Sequence, residues 1–149
     1  MGFSEEATIL MADGTYKSIK NIKKGEYVMN KRKKPVRVMA NYKQLAEDTI
    51  SFERDGDVTT IYCTPDQKFP AIYINTAGST VNELLTLSEM DTKSAKFKNS
   101  TRMFSTTSNV VMNNYSGTLV SKDVWSLDVS DNTKSFIMNT IFTVEDSRI

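Results

Sequence analysis

Histidine is missing from the whole of this 149-residue chain, and cysteine occurs once, at Cys63. The first absence removes the side chain that titrates near neutrality and serves most often as a proton shuttle. Zinc sites of the Cys/His kind go with it, because one cysteine and no histidine cannot fill four positions. A lone cysteine also excludes an internal disulfide and matches the usage of a reducing compartment such as the cytoplasm. No sign of charge dominates: 19 basic residues stand against 18 acidic ones, a net of +1, so there is no global electrostatic case for a nucleic-acid or membrane partner. No apolar run approaches the roughly 18 to 20 residues that span a bilayer, and the N-terminus lacks the basic and apolar regions of a signal peptide. A soluble chain is expected. The carboxylates are scattered, and the tightest cluster, Asp55-Gly56-Asp57, has a turn glycine at its centre and reads as a solvated hairpin tip. Neither a cofactor nor a metal is expected.

What is present is a series of short strands separated by turn signals, the pattern of an all-β domain. The length suits one domain, residues 1–149, with a core of its own. Thr8-Ile9-Leu10-Met11 is an apolar run ended at Asp13-Gly14, where a tight hairpin turn is expected. Ile19 and Ile22, three apart, predict one helical or 3₁₀ turn before strand resumes at Glu26-Tyr27-Val28-Met29. Asn30 to Pro35 form a lysine-rich loop. Val36, Val38 and Ala40 alternate with other residues, and a second hairpin is expected around Asp55-Gly56, with Ile50 and Phe52 before it and Val58 to Tyr62 after it. Residues 76–108 soften into Ser, Thr, Lys and Asn, which predicts a long excursion or a lid of short elements. Strand patterns return at 109–112, 117–120, 124–129, 135–138 and 141–144, and the turn at Asp131-Asn132 predicts a C-terminal meander. The stretches 16–29 and 81–90 carry a faint internal echo.

Three of these segments carry a resemblance. Residues 7–29, ATILMADGTYKSIKNIKKGEYVM, resemble the first block of the Hint domain, the hedgehog and intein autoprocessing module: an apolar strand, a D-G turn, an I-x-x-I pair and a G-D/E-x-V ending. Residues 62–69, YCTPDQKF, resemble the block whose family pattern is T-x-x-H. Residues 124–141, VWSLDVSDNTKSFIMNTI, are similar to the V-Y-D-L-x-V strand, turn and F-I-x-N-x-I strand of a third block. The resemblance implies a disc-like all-β fold, a pseudo-twofold sandwich of hairpins, and a chemistry in which a first-residue thiol or hydroxyl attacks the preceding carbonyl.

Carried over residue by residue, that chemistry fails at each step. The nucleophile's place falls on Gly2, or on Phe3 if the block is one residue shorter, with Ser4 nearby but off register. The T-x-x-H histidine is Gln67, whose amide cannot deliver a proton near neutral pH, although Thr64 survives. The aspartate of V-Y-D-L is Ser126. Asp128 sits two places on, on the same strand face and about 7 Å further along. The terminal His-Asn of an intein falls around Val144-Glu145, and Glu145 cannot cyclise as asparagine does. Cys63, beside Thr64 on an extended strand, points to the other face and reads as a small hydrophobe. A chain beginning at Met1 is also expected to have nothing upstream to cut off.

The expected function is therefore a catalytically inactive Hint-like domain, kept as a structural or protein-binding module. The alternative is an intein inactivated at its nucleophile, or one using an unconventional nucleophile. Fourteen lysines against five arginines suit an AT-rich genome, and small Hint-like proteins are similar to ones of large DNA viruses, so a viral particle is one expected setting. Expected binding surfaces are Leu84, Leu85 and Leu87, and the C-terminal strand with Ile141, Phe142 and Val144, for a protein partner or a second copy. Residues 17–37 hold nine Lys or Arg and one Glu. With only Tyr16 and Tyr27 as stacking partners, the stretch reads as a solvated hairpin face, and nucleic acid is not an expected partner.

Overall fold

The computed structural model describes residues 2–54, 59–97, 102–103, 110–139 and 141–144. The first hairpin joins β1 (Thr8–Leu10) to β2 (Tyr16–Ser18). Its turn is closed by Asp13, whose carboxylate accepts from the Thr15 N–H at 3.0 Å and the Thr15 hydroxyl at 2.6 Å, while Gly14 takes the left-handed φ of +87°. The expected 3₁₀ turn forms at Ile19–Asn21 and is held from outside by Asn41, whose side-chain nitrogen donates to the Ile19 and Ile22 carbonyls at 2.8 Å each. There follow β3 (Tyr27–Met29), β4 (Pro35–Arg54), β5 (Ile61–Cys63), β6 (Lys68–Ile74), β7 (Thr80–Thr86), α1 (Leu87–Phe97), β8 (Arg102–Met103), β9 (Val110–Val129), β10 (Ser135–Met138) and β11 (Ile141–Val144). All strand pairs are antiparallel. One sheet has the order β11-β10-β1-β2, and the other β3-β4-β9-β8-β6-β7, with β5 paired to β4.

Several expectations are corrected. The separate strands expected within 36–52 and within 109–129 are two continuous strands, β4 and β9, paired along most of their length. Bulges between Val38/Ala40 and between Ala46/Thr49 shift the register, so the inside-outside alternation slips while the ladder continues. The softened region 76–108 contains β7, a helix and β8. The helix starts at a reciprocal cap: the Thr86 N–H donates to the Glu89 carboxylate at 3.0 Å, and the Glu89 N–H donates to the Thr86 hydroxyl at 3.2 Å. Leu85 and Leu87, expected as surface, are core, and only Leu84 of that trio is exposed. The C-terminal strands are not a meander, because β9 belongs to the larger sheet and β10 crosses to the smaller one, between β1 and β11. The expected Asp55-Gly56 turn lies outside the described residues. Among the described residues, no helix is long and apolar enough to cross a membrane.

The core lies between the sheets. Phe136 of β10 stands edge-on to Phe3 at 6.5 Å, Phe3 to Phe69 of β6 at 5.9 Å, and Phe69 to Phe52 of β4 at 5.4 Å, so four buried rings link one sheet to the other. Where β10 turns, Asn139 adopts φ +46°. Its side-chain oxygen accepts from the Thr8 N–H at 2.6 Å and the Thr8 hydroxyl at 2.9 Å, while its own N–H donates to the Thr8 carbonyl at 2.9 Å. Removing that acceptor leaves two donors of β1 unpaired. We expect Asn139→Ala to lower unfolding free energy by about 1–3 kcal/mol in urea titrations. Asn139→Gly, which loses the same bonds but fits the left-handed backbone, is expected to cost less by about 1 kcal/mol.

Candidate functional site

Residues 2 to 4 run as an extended segment between β5 and β9, and this segment gathers the positions singled out in the sequence. Phe3 exchanges both backbone bonds with Trp125, N to O at 2.9 Å and O to N at 2.8 Å, and also bridges Cys63. The Gly2 carbonyl accepts from the Thr64 N–H at 3.2 Å, and the Ser4 N–H donates to the Tyr62 carbonyl at 2.8 Å. Gly2 and Thr64 are therefore in direct contact, and Ser126 follows the residue that locks Phe3.

Gly2 is crowded on the side where a side chain would stand. Its φ is +150°, and a Cβ built on it stands 2.9 Å from the Trp125 carbonyl oxygen and 3.2 Å from the Val124 side chain. Any larger residue has to push the β9 backbone, which is itself hydrogen-bonded to Phe3. The position that the motif resemblance matches to a nucleophile is crowded by the neighbouring strand.

Thr64 and Gln67 are joined by a tight turn in which the Gln67 N–H donates to the Thr64 carbonyl at 3.1 Å. Gln67 is 2% exposed, and its Nε2 donates to the Lys68 carbonyl at 3.1 Å. Thr64 is 7% exposed, and its hydroxyl is buried without a hydrogen-bond partner among the described residues. Ser126 is buried in the same region. Asp128 goes elsewhere: its carboxylate is 3.5 Å from Lys134 Nζ at the turn between β9 and β10, its one partner among the described residues. Glu145 lies outside the described residues. Cys63 is fully buried in the core, where desolvation first and the Asp66 carboxylate second push its thiol up, so it is held protonated and away from solvent.

Ser4 is the one hydroxyl in the segment with a carboxylate beside it. It donates to Glu6 Oε1 at 2.7 Å and accepts from the Tyr62 N–H at 3.1 Å. It is 1% exposed, at the inner end of a hollow of about 170 Å³ that Glu5, Glu6, Lys122, Asp123 and Trp125 complete. The bond from Tyr62 holds the N-terminal segment against β5, and the bond to Glu6 orients the hydroxyl that accepts it. No sequence pattern pointed to Trp125 or Tyr62 as partners of this segment, nor to the cations beside their rings, Lys43 Nζ at 5.7 Å from Trp125 and Lys122 Nζ at 4.3 Å from Tyr62. Among the described residues no group of three or more His, Cys, Asp or Glu is placed to hold a metal ion.

No family model matches this sequence, and no curated protein matches it. Solved structures do. The TvoVMA intein superposes with a TM-score of 0.72 at 15% identity, over 98% of both chains. A DnaB intein from Synechocystis sp. PCC 6803 has a TM-score of 0.68 at 16% identity, over 98% of this chain and 99% of that one. A bacterial intein-like domain from Clostridium thermocellum has 0.66 at 18%, over 97% and 98%. At these identities the likeness establishes the fold, and the chain has the Hint fold of inteins and intein-like domains.

The unpartnered Thr64 hydroxyl can be tested directly. A buried polar group without a partner costs about 1–3 kcal/mol, and valine has nearly the same shape without it. Thr64→Val is expected to raise stability by about 1 kcal/mol in denaturant titrations. A loss of stability would mean that the hydroxyl has a partner, such as a buried water.

Proposed function

We propose that this Hint-fold domain neither splices nor cleaves itself and acts as a structural or protein-binding piece of a larger assembly. The observation that carries this reading is Gly2, which offers no nucleophile and is packed so closely under the Trp125 carbonyl that any side chain there would have to displace the β9 backbone. Autoprocessing begins with attack by such a side chain on the carbonyl before it, and without that step no ester or thioester exists for later steps to resolve. Gln67 agrees with it. Its amide has no proton to deliver near neutral pH, and its nitrogen is already engaged with the Lys68 carbonyl.

The binding surface this reading favours is β11, the edge strand of the smaller sheet, where an antiparallel strand from a second copy or a protein partner could be added. A reducing cytoplasm or a viral particle suits a chain whose single thiol is buried and protonated. The alternative, an unconventional nucleophile, has one candidate in Ser4, with Glu6 beside its hydroxyl. Ser4 would have to attack the Phe3 carbonyl, which the Trp125 N–H holds in a sheet ladder at 2.8 Å.

Fused between two test proteins, residues 2–149 are expected to give neither ligated nor cleaved product by gel and mass spectrometry, with or without thiol or hydroxylamine. Gln67→His is expected to fold and restore no cleavage. Gly2→Cys is expected to lose about 1–3 kcal/mol of stability through backbone strain. Thiol-dependent cleavage of the unaltered fusion at Gly2, or hydroxylamine cleavage at Ser4 that Ser4→Ala abolishes, would overturn the proposal. For the binding role, deleting residues 145–149 is expected to keep the thermal midpoint within a few degrees and to weaken self- or partner association in sedimentation. Unchanged association would mean that the partner binds away from residues 145–149 or does not exist.

A further inference from the structure

The near-neutral total charge conceals a strongly uneven distribution. Lys17 and Lys20 are ion-paired with Glu26 at 2.7 Å and Glu5 at 3.0 Å. The seven other cations of residues 17–37, namely Lys23, Lys24, Lys31, Arg32, Lys33, Lys34 and Arg37, are all exposed, and among the described residues none of their side chains has an ion-pair partner. Four of them are consecutive at the tip between β3 and β4, where mutual repulsion would be relieved by an open, mobile loop. The tip is instead fixed. The Asn30 side-chain oxygen accepts from the Arg32 and Lys34 N–H groups at 2.9 and 3.0 Å, the Lys31 N–H donates to Ser135 Oγ at 3.1 Å, and Lys33 is held at φ +60°. A like-charged turn is thus organised by polar groups of the body of the fold.

Beside it lies a groove of about 420 Å³ between the β1–β2 hairpin and β3. Tyr16 and Tyr27 both line it, 46% and 52% exposed, together with Asp13 and Glu26. Strand alternation turns Val28 into the core and Tyr27 outward, directly across from Arg37. In the sequence the two tyrosines were too few to argue for stacking. In the structure they line one groove with Lys17, and Tyr27 belongs to the hairpin that carries the other cations.

We propose that the groove and hairpin bind single-stranded nucleic acid, with bases stacked on Tyr27 and Tyr16 and phosphates lying over the cations of residues 23–37. Stacking on aromatic rings beside a cationic track is the chemistry of such binding and needs no particular base sequence. An acidic peptide, the other polyanion that could meet the lysines, has no use for two exposed ring faces. Its carboxylates would also face Asp13 and Glu26, whereas exocyclic amino groups of bases can donate to those same carboxylates. The Thr15 hydroxyl bond on Asp13 and the Lys17 ammonium on Glu26 each hold the carboxyl below its usual range, so both are ionised acceptors at neutral pH. This inference is independent of whether the Hint cleft is active.

The test is fluorescence anisotropy of the full chain with labelled oligo(dC) and oligo(rC) of about 12 nucleotides, within the usual site size, and with a labelled oligoglutamate peptide of matching charge. Binding of at least one oligonucleotide is expected, weakening steeply between about 50 and 200 mM salt. Replacing Lys31, Arg32, Lys33 and Lys34 together by glutamine is expected to abolish it, and Tyr27→Ala to weaken it about tenfold, the loss of one stacked base. Circular dichroism and the thermal midpoint of both variants should match the parent, since all the altered side chains are exposed. Absence of binding to both oligonucleotides at low salt, indifference to Tyr27→Ala, or peptide binding as tight as that of the oligonucleotides would each overturn the proposal.

Discussion

Phe3 is the residue on which the rest of the arrangement depends. Its backbone is the strand that fills the space between β5 and β9, and its ring is the one that touches both Phe69 of the larger sheet and Phe136 of the smaller. Deleting a fully buried phenylalanine typically costs about 3–5 kcal/mol, and here the loss would also free the edges of two strands. Because Phe3 is seated to this depth, Gly2 lies under the Trp125 carbonyl, where a side chain would strain the β9 backbone. One packing requirement therefore fixes both the union of the sheets and the crowding at Gly2.

A second constraint works at the opposite end of the smaller sheet. Asp131 accepts from Asn30 Nδ2 at 2.7 Å and from the Thr133 hydroxyl at 2.8 Å, and the Thr133 hydroxyl is 2.7 Å from that of Ser135. Burial pushes the Asp131 carboxyl up, but the bonds from Asn30, Thr133 and the Lys134 N–H together outweigh it and hold the group below its ordinary value. A carboxyl depressed in the folded state contributes stability above its unfolded pKa and loses it as pH falls toward the folded one. The same network passes through Asn30 and Ser135 to the lysine-rich tip. The turn that sends the chain from one sheet to the other is thus also what holds the cationic hairpin in place.

What the sequence disclosed was local. Asp13-Gly14 and the Ile19/Ile22 pair specify their turns from nearest neighbours, and three motif segments in order led to the fold. The long strands were hidden because β4 and β9 pass through a stretch open to solvent, where Leu45 is 67% and Leu119 56% exposed, so apolar residues no longer mark an inside face. The helix could have been found from Thr86 and Glu89, three residues apart at its start, but the polar composition around them masked it. The crossing of β10 to the other sheet and the depth of Phe3 depend on partners more than a hundred residues or several strands away, and no local pattern carries them. At the site, the chemical identities of Gly2, Thr64 and Gln67 were readable, whereas the crowding of Gly2 and the isolation of the Thr64 hydroxyl exist only in three dimensions.

These two features of one small region point in different directions. Gly2 and Phe3 are optimised for packing: a residue without a side chain sits where a carbonyl intrudes, beside a ring that fills the centre of the core. Thr64 is not, since a hydroxyl buried without a partner is a cost that packing alone would remove. Its backbone has a structural task of its own. The Thr64 N–H binds the Gly2 carbonyl and its carbonyl receives the Gln67 N–H, so the turn that carries it also clamps the N-terminal segment. That clamp needs no particular side chain. The backbone bonds of this region therefore hold whatever side chains stand at residues 2, 64 and 67, and they are the part of it that the fold requires.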